Sequence, residues 1–553
     1  MDRIARNQLC PCGSLRKFKH CHGSYRTDRP NVTFDDEMQA AAERAVRIHD
    51  AEEYRRRLSQ GLGRPIISAE LNGARGIIVG NRWLTSKNWK TFPDFLIQYL
   101  QSLFTEEWIK LQEGLPTSDQ HPLIRWLDIV KRALRDARPT LAAGVRSAQL
   151  TGAARALLSL AYDLYLCAHN ATLQDILIKR LRSKTEFEGA LYETYVIGWF
   201  AKAGFHIQFE DEGDTLRTHC EFTATHNETG KRFSVEAKSI NSSSLRAGAG
   251  EKPPSIRRKL IEALSKRADH PRMIFIDLNR AERPTADAPP VWERDIHMEV
   301  ARCEQDLTIG GAPAPPAYVF STNRGYLHAL EGPEWAEFAI ADGFKIADFP
   351  IGKGCSTILE MHRARNRNIE VYWLLQAGFH YNEIPQTFDG KTAEEAFQTA
   401  SSKRIRIGDL IRIPLADEND VPALIVDAVV DQGNSNVLAT CKTDGQYVQV
   451  ILPLSEVELA IYKREPDTFF GVVKPTNREM RTPLDWFDFV ASSYSTARKE
   501  TLLDWMKASP NITDLRLLSQ EQLAEIYCDR VATSFWKNSE KGKRTQSVAP
   551  SSE

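Results

Sequence analysis

A multidomain protein of mixed α/β (α+β) class is what this sequence predicts, on three observations. Its 553 residues exceed what one hydrophobic core serves, at about 150 residues per domain. Apolar residues recur at three- and four-residue spacing from Thr91 to about Arg182, and the texture then changes to alternating helix and strand as far as Asn323. From Arg404 it changes again, to short strands between Asn, Asp and Gly turns. With 42% hydrophobic, 26% charged and 9% aromatic residues, the composition is that of ordinary globular protein. Lys+Arg at 72 against Asp+Glu at 73 excludes a uniformly basic nucleic-acid coat and an acidic disordered chain, although local patches can cancel in the sum.

The most apolar helical stretch, residues 153–168, is interrupted by Arg155 and Asp163. It falls short of the about 20 residues a bilayer needs, so no membrane span is expected. The amino-terminal MDRIARNQLC lacks the apolar core of a signal peptide, and the expected location is cytoplasmic. Six of the nine cysteines (Cys167, Cys220, Cys303, Cys355, Cys441, Cys528) are scattered, as free thiols in a reducing compartment would be.

The other three cysteines open the chain. In RNQLCPCGSLRKFKHCHGSY, Cys10, Cys12, Cys21 and His22 have the spacing C-x-C-x8-C-H. Three thiolates and one imidazole form a closed tetrahedral set for structural Zn2+. Pro11 and Gly13 bend the backbone so that two sulfurs two residues apart can face one ion. A piece this small buries too little apolar surface to fold unaided, and metal binding would supply roughly 10–16 kcal/mol. The string closely resembles the SEC-C motif, the zinc-binding tail at the carboxyl end of the SecA export motor. Pro11, Gly13, Ser14, Lys17, Phe18, Lys19 and Gly23 stand where that pattern has them, and Leu15 replaces a usual second glycine. The resemblance implies a zinc knuckle over residues 1–30. It does not extend to the export motor, because no G-x-x-x-x-G-K-[ST] phosphate loop occurs. Residues 1–30 carry seven Lys/Arg against Asp2 and Asp28, a net +5. Such a basic module suits an acidic partner, whether nucleic acid, a ribosome or an acidic protein face, and a merely solvated surface reads equally well.

Residues 31–182 are expected to form a mainly helical domain, entered by a charged connecting helix and including a short β-hairpin around Asn72-Gly73. Residues 183–330 form the αβ block. ALYETYVIGWFAKAG is a helix closed by Gly204; FHIQFEDE, HCEFTATHN and KRFSVEAKSI are strands. The basic helix SIRRKLIEALSKRA, the apolar strand MIFIDLN, a helix around DIHMEVARCEQDL and the strand AYVFSTN follow. Residues 331–402 are a mixed connecting region. Residues 403–475 read as a small β-barrel, 476–537 as carboxyl-terminal helices and 538–553 as a disordered tail low in apolar content.

The chemistry concentrates in the αβ block. Glu236 and Lys238 lie two apart on a strand and so project from one face, while Val235 and Ala237 point to the other. One strand earlier, Glu221 is an acid among apolar and β-branched neighbours, and the preceding helix supplies Glu193. Carboxylates so placed can hold Mg2+, which binds through one or two of them and a substrate phosphate. A lysine beside them can position a nucleophile or stabilise developing negative charge. Helical Glu, capped helix, hairpin, acid strand, the chain's only Glu-x-Lys, basic helix and apolar strand occur in an order that resembles the PD-(D/E)XK nuclease superfamily. That resemblance spans about residues 186–325 and implies a restriction-endonuclease-like core. It assigns catalysis to Glu193, Glu221, Glu236 and Lys238, with Mg2+ or Mn2+ on Glu221 and Glu236. Glu221 replaces the usual Asp, and Cys220 stands where that family has Pro.

The basic segment 252–272 (Lys252, Arg257, Arg258, Lys259, Lys266, Arg267, Arg272 against Glu262 and Asp269) would face a phosphate backbone in that fold. His206, His219 and His226 lie near the site without metal-ligand spacing. Two other readings stay open on sequence alone: a satisfied Glu–Lys salt bridge in an unrelated domain, and a nuclease fold that only binds. The resulting expectation is a metal-dependent nuclease with a docking zinc module. Its alternative is a non-catalytic zinc-binding adaptor of ribosome or protein-export components.

Overall fold

In this computed structural model the residues described are 36–547, apart from 138–143, 147, 210–219, 241–254, 284–289, 382, 398–404, 415–419, 444 and 475–479. The chain divides into two compact units: residues 1–53, 405–453 and 467–474 form one, and residues 54–404, 454–466 and 475–553 the other.

The larger unit starts in the second half of the charged helix α1 (Asp36–Gln60). Three antiparallel strands follow, β1 (Ser68–Leu71), β2 (Ala74–Val79) and β3 (Arg82–Ser86). The predicted hairpin turn holds, with Asn72 and Gly73 both at positive φ (51° and 71°), as a tight two-residue loop requires. A third strand extends it. Helices α2 (Phe92–Phe104), α3 (Glu106–Glu113), α4 (Pro122–Asp136), α5 (Gly152–Asn170) and α6 (Asp175–Arg182) come next. Thr91 and Asp94 close a capping box over the start of α2, satisfying backbone donors that the first turn would otherwise leave bare.

Helix α7 (Phe187–Lys202) is apolar nearly all round, because it lies between α5 and the sheet. It ends at Gly204, whose φ of +80° lets the chain turn into β4 (Phe205–Phe209). Then come β5 (Phe222–His226), β6 (Arg232–Ser239), α8 (Arg257–Leu264), β7 (Arg272–Asp277) and α9 (Glu293–Asp306). A two-stranded hairpin, β8 (Thr308–Ile309) and β9 (Ala312–Pro313), occupies the Gly/Pro/Ala run. Strands β10 (Ala317–Arg324) and β11 (Glu337–Phe344) complete a six-stranded sheet of order β11-β10-β7-β6-β5-β4. Within it β4, β5 and β6 are antiparallel, β6, β7 and β10 run parallel, and β11 returns antiparallel.

Alternation along these strands divides the core in two. Val235, Met273, Phe275 and Phe320 pack with α7, whereas Ile274, Ile276 and Val319 face Leu260 of α8 and Ile296 and Val300 of α9. The first of these cores continues through α2, α4 and α5 into the region that follows the sheet. There α10 (Ile358–Arg367) leads to α11 (Ile369–His380), whose Val371, Leu374 and Ala377 are part of it. Contact is close: a Cβ on Gly378 would stand 2.3 Å from the Trp199 ring. After the short α12 (Ala393–Ala396), the unit resumes at α13 (Glu456–Arg464) and ends in α14 (Pro483–Tyr494), α15 (Lys499–Trp505), α16 (Ile512–Leu515) and α17 (Gln520–Ser547). Helix α17 continues to Ser547, into the stretch whose composition predicted disorder; residues 548–553 lie outside those described.

In the smaller unit the expected β-barrel is replaced by an open meander among the described residues. Strands β12 (Leu410–Pro414), β13 (Asp420–Asp431), β14 (Asn436–Lys442) and β15 (Tyr447–Pro453) pair only in chain order, leaving β12 and β15 as separate edges. Closing a barrel needs the first and last strands to meet through a matching tilt and stagger, and β12 and β15 do not pair. One face is still buried: Ala423, Ile425, Ala428, Val437, Ala439 and Cys441 alternate with exposed residues along β13 and β14.

Candidate functional site

Glu236 and Lys238 sit near the end of β6 on the face that carries Ile274 and Ile276 of β7, the α8/α9 side of the sheet. Glu221 directly precedes β5. Its N–H donates to the Val235 carbonyl, which seats it across the strand pair from Glu236 on the same face. Strand alternation and antiparallel register therefore bring together two acids that lie fifteen residues apart in the chain.

Two lysines close over them. Lys238 Nζ donates to Glu221 Oε1 at 3.5 Å and also pairs with Glu236. Lys266, just beyond α8, lies 2.8 Å from Glu236 Oε1 and 3.4 Å from Glu221 Oε1. Expected on a surface facing a phosphate backbone, Lys266 instead turns into the acid pair. Its only sequence signal was a basic helix leading into the neighbouring strand.

The two carboxyls differ. Glu236 is 1% exposed, and its Oε2 has no hydrogen-bond partner among the described residues. Burial, and then the charge of Glu221, push its carboxyl up to about 7 against the pull of Lys238 and Lys266. Burial also raises Glu221, but Lys266, Lys238 and Arg180 outweigh it and leave that carboxyl below its ordinary value. For Glu236, burial thus outweighs the two ammoniums beside it. Burial and the charge of Glu236 push the Cys220 thiol up to about 12, so it remains protonated at neutral pH, and its Sγ contacts the Arg267 carbonyl at 3.4 Å.

Glu193 stands to one side. On α7 it is buried and receives Arg180 Nη1 of α6 at 2.7 Å. That same guanidinium acts electrostatically on Glu221, so Glu193 reaches the pair through Arg180. Among the described residues, no three His, Cys, Asp or Glu side chains cluster tightly enough to hold a metal ion. A divalent ion here would have two protein carboxylates, Glu221 and Glu236, which matches how Mg2+ binds with retained waters and a substrate phosphate. The unpartnered Glu236 Oε2, an acceptor buried beside a second acceptor, fits that use.

The basic segment is largely self-satisfied. Arg257 pairs with Asp306, Arg258 and Lys259 with Glu262, and Arg267 with Asp269. His226 stacks on Trp373 and its Nδ1 accepts backbone N–H groups of Glu228 and Thr229, a structural role; His206 is exposed on β4. His219, Lys252 and the zinc set Cys10, Cys12, Cys21 and His22 lie outside the described residues.

Residues 6–24 match the SEC-C motif, a zinc-binding motif. Over 24 residues the chain is 62% identical to the protein translocase subunit SecA of Bartonella bacilliformis. The shared segment is 4% of this chain and 3% of that protein. No solved structure matches the chain. No helix among the described residues is long and apolar enough to cross a membrane.

Proposed function

We propose that this protein is a metal-dependent nuclease of PD-(D/E)XK type, hydrolysing phosphodiester bonds in nucleic acid, with its SEC-C segment as a zinc module for docking. The observation that carries the reading is the pairing of Glu221 and Glu236 on one sheet face with Lys238 between them. The chain order α7, three antiparallel strands, α8, then a strand parallel to β6 supports it, being the order on which the sequence resemblance rests.

Glu221 and Glu236 would hold Mg2+ or Mn2+, which when bound acidifies a water and neutralises charge on the scissile phosphate. Lys238, anchored on a central strand, places an ammonium where charge builds on the phosphate oxygens, and its position costs no reorganisation during reaction. Glu193 holds Arg180, whose guanidinium acts on Glu221 and can add a charge-assisted contact to phosphate. In the docking module, Cys10, Cys12, Cys21 and His22 would ligate one Zn2+.

The match to a SecA segment favours a second reading, a non-catalytic adaptor whose zinc module binds ribosome or protein-export components. One experiment separates them. The purified full chain with Mg2+ or Mn2+ should cut at least one of single- or double-stranded DNA or RNA, and Glu236→Ala should stop the cutting. A wild-type protein inert on every substrate would sink the nuclease and favour the adaptor. Independently, Cys10→Ser with Cys12→Ser should lose one equivalent of zinc by metal analysis; unchanged zinc would remove those ligands.

A further inference from the structure

We propose that Lys266 is a resident counter-ion that holds the Glu221–Glu236 pair against divalent cations until nucleic acid draws it away, so that metal and nucleic acid bind cooperatively. This rests on the metal-centre reading above and adds the regulation of that centre.

Four ionisable groups converge here, two acids and two lysines, and each lysine contacts both acids. Lys266 reaches Glu236 Oε1 at 2.8 Å and Glu221 Oε1 at 3.4 Å, touching the same oxygens a shared cation would use. A divalent ion arriving among them meets two positive charges at van der Waals range, and one must leave for the exchange to be favourable.

The two lysines are not equally free to go. Lys238 belongs to β6, a central strand, and its backbone stays in register with Ile276 of β7. Lys266 hangs from the turn between α8 and β7, whose backbone is held where Arg272 donates to the Lys266 carbonyl at 3.2 Å and Cys220 contacts the carbonyl of Arg267; its side chain is held by the two acids. Its side chain retains a quarter of its exposure, so the four-carbon stem can swing outward without moving the sheet.

An outward position needs an anionic partner, and the groups around Lys266 indicate which kind. The neighbouring basic side chains of α8 already share Glu262 and Asp306, so little local anion is left for another ammonium. A phosphodiester strand laid against this segment would supply one. Glu236 Oε2, buried and without a hydrogen-bond partner among the described residues, is the donor left for the incoming cation. Because the same lysine opposes metal when inward and favours phosphate when outward, each ligand strengthens the other, and the coupling is reciprocal.

The test is calorimetric titration of Mn2+ into the full chain, alone and with a phosphorothioate-blocked DNA duplex, with an RNA duplex in parallel to tell the two sources of phosphate apart. Wild-type affinity for Mn2+ should rise on the order of ten-fold with one of the duplexes. Lys266→Met, which preserves the stem, should bind Mn2+ on the order of ten-fold more tightly without nucleic acid and gain little from adding it. Lys266→Arg should behave as wild type. Binding by Lys266→Met no tighter than wild type overturns the counter-ion role while leaving the metal centre intact, provided Glu236→Gln still abolishes binding. If Glu221→Gln and Glu236→Gln both leave Mn2+ binding unchanged, the metal centre itself fails and the counter-ion role falls with it.

Discussion

Two buried ionic groups on one sheet contrast in how completely they are satisfied. Asp277 at the end of β7 and Arg324 at the end of β10 are 1% and 3% exposed. Arg324 donates from Nε and Nη2 to Asp277 Oδ2 at 3.2 and 2.7 Å, and the Asn279 N–H donates to Oδ1. The guanidinium lies over the rings of Tyr192 and Tyr195, at 5.0 and 5.4 Å. Each charge has one rigid partner, and planar Arg fixes the geometry. The Glu221–Glu236 group has the opposite character. Two acids face each other, two lysines divide themselves between them, and a buried carboxyl oxygen is left over. Asp277–Arg324 is dry throughout, whereas only Glu236 is as deeply buried in the second group, where Glu221, Lys238 and Lys266 are 18%, 19% and 25% exposed. The first pair locks strand ends, and the second retains unspent acceptor capacity of the kind a ligand can use.

The contrast can be broken by mutation. Arg324→Ala should cost about 3–5 kcal/mol in denaturant unfolding, since it strands Asp277 in the core. A loss under about 1 kcal/mol would show that water or rearrangement rescues that carboxylate. Lys238→Ala should reduce cleavage by roughly 10²–10³-fold, the size expected for removing one preorganised charge donor. It should cost only the ordinary ~1 kcal/mol of stability, because Lys266 still pairs both acids. If Lys238→Ala instead destabilised the chain as severely as Arg324→Ala, the acid pair would be a structural salt bridge.

The smallest effect concerns a third, more exposed pair on the same sheet. His297 of α9 lies 2.7 Å from Asp342 of β11, with Glu293 at 3.8 Å. The hydrogen bond that His297 donates to the Asp342 carboxylate chiefly raises its folded-state pKa. Its stabilisation is therefore full below the unfolded value near 6.5 and is lost as pH rises through the folded value. Melting temperatures of wild type and His297→Gln should differ at pH 5.5 and converge toward pH 8.5. A difference independent of pH would mean packing, with no contribution from charge.

Much of the candidate site was legible because it depends on local geometry. Period-two alternation alone puts Glu236 and Lys238 on one face, and Asn72-Gly73 and Gly204 mark turns through their backbone freedom. Lys266 and Arg180 were not legible as site residues. Lys266 lies twenty-eight residues beyond Lys238 and reaches the acids only because β7 docks parallel to β6. Arg180 reaches them because α6 packs on α7. Likewise, β11 and α11 carried no motif that tied them to this domain; pairing with β10 adds β11 to the sheet, and packing on Trp199 adds α11 to the core. The meander was read as a barrel because strand alternation reports a buried face and says nothing of whether the end strands meet.

By itself the sequence determined the features whose partners lie within a few residues of one another. The SEC-C segment, with its thiols and imidazole inside residues 6–24, and the facing of the Glu-x-Lys pair are of this kind. Bond lengths and backbone dihedrals restrict such neighbours to a few arrangements before any tertiary contact forms. Only the tertiary structure decided which cations reach Glu221 and Glu236, and which of the two buried charge groups is complete. Those outcomes depend on separations of a few ångströms between distant segments and on how much water packing excludes, and Coulomb energies vary steeply with both.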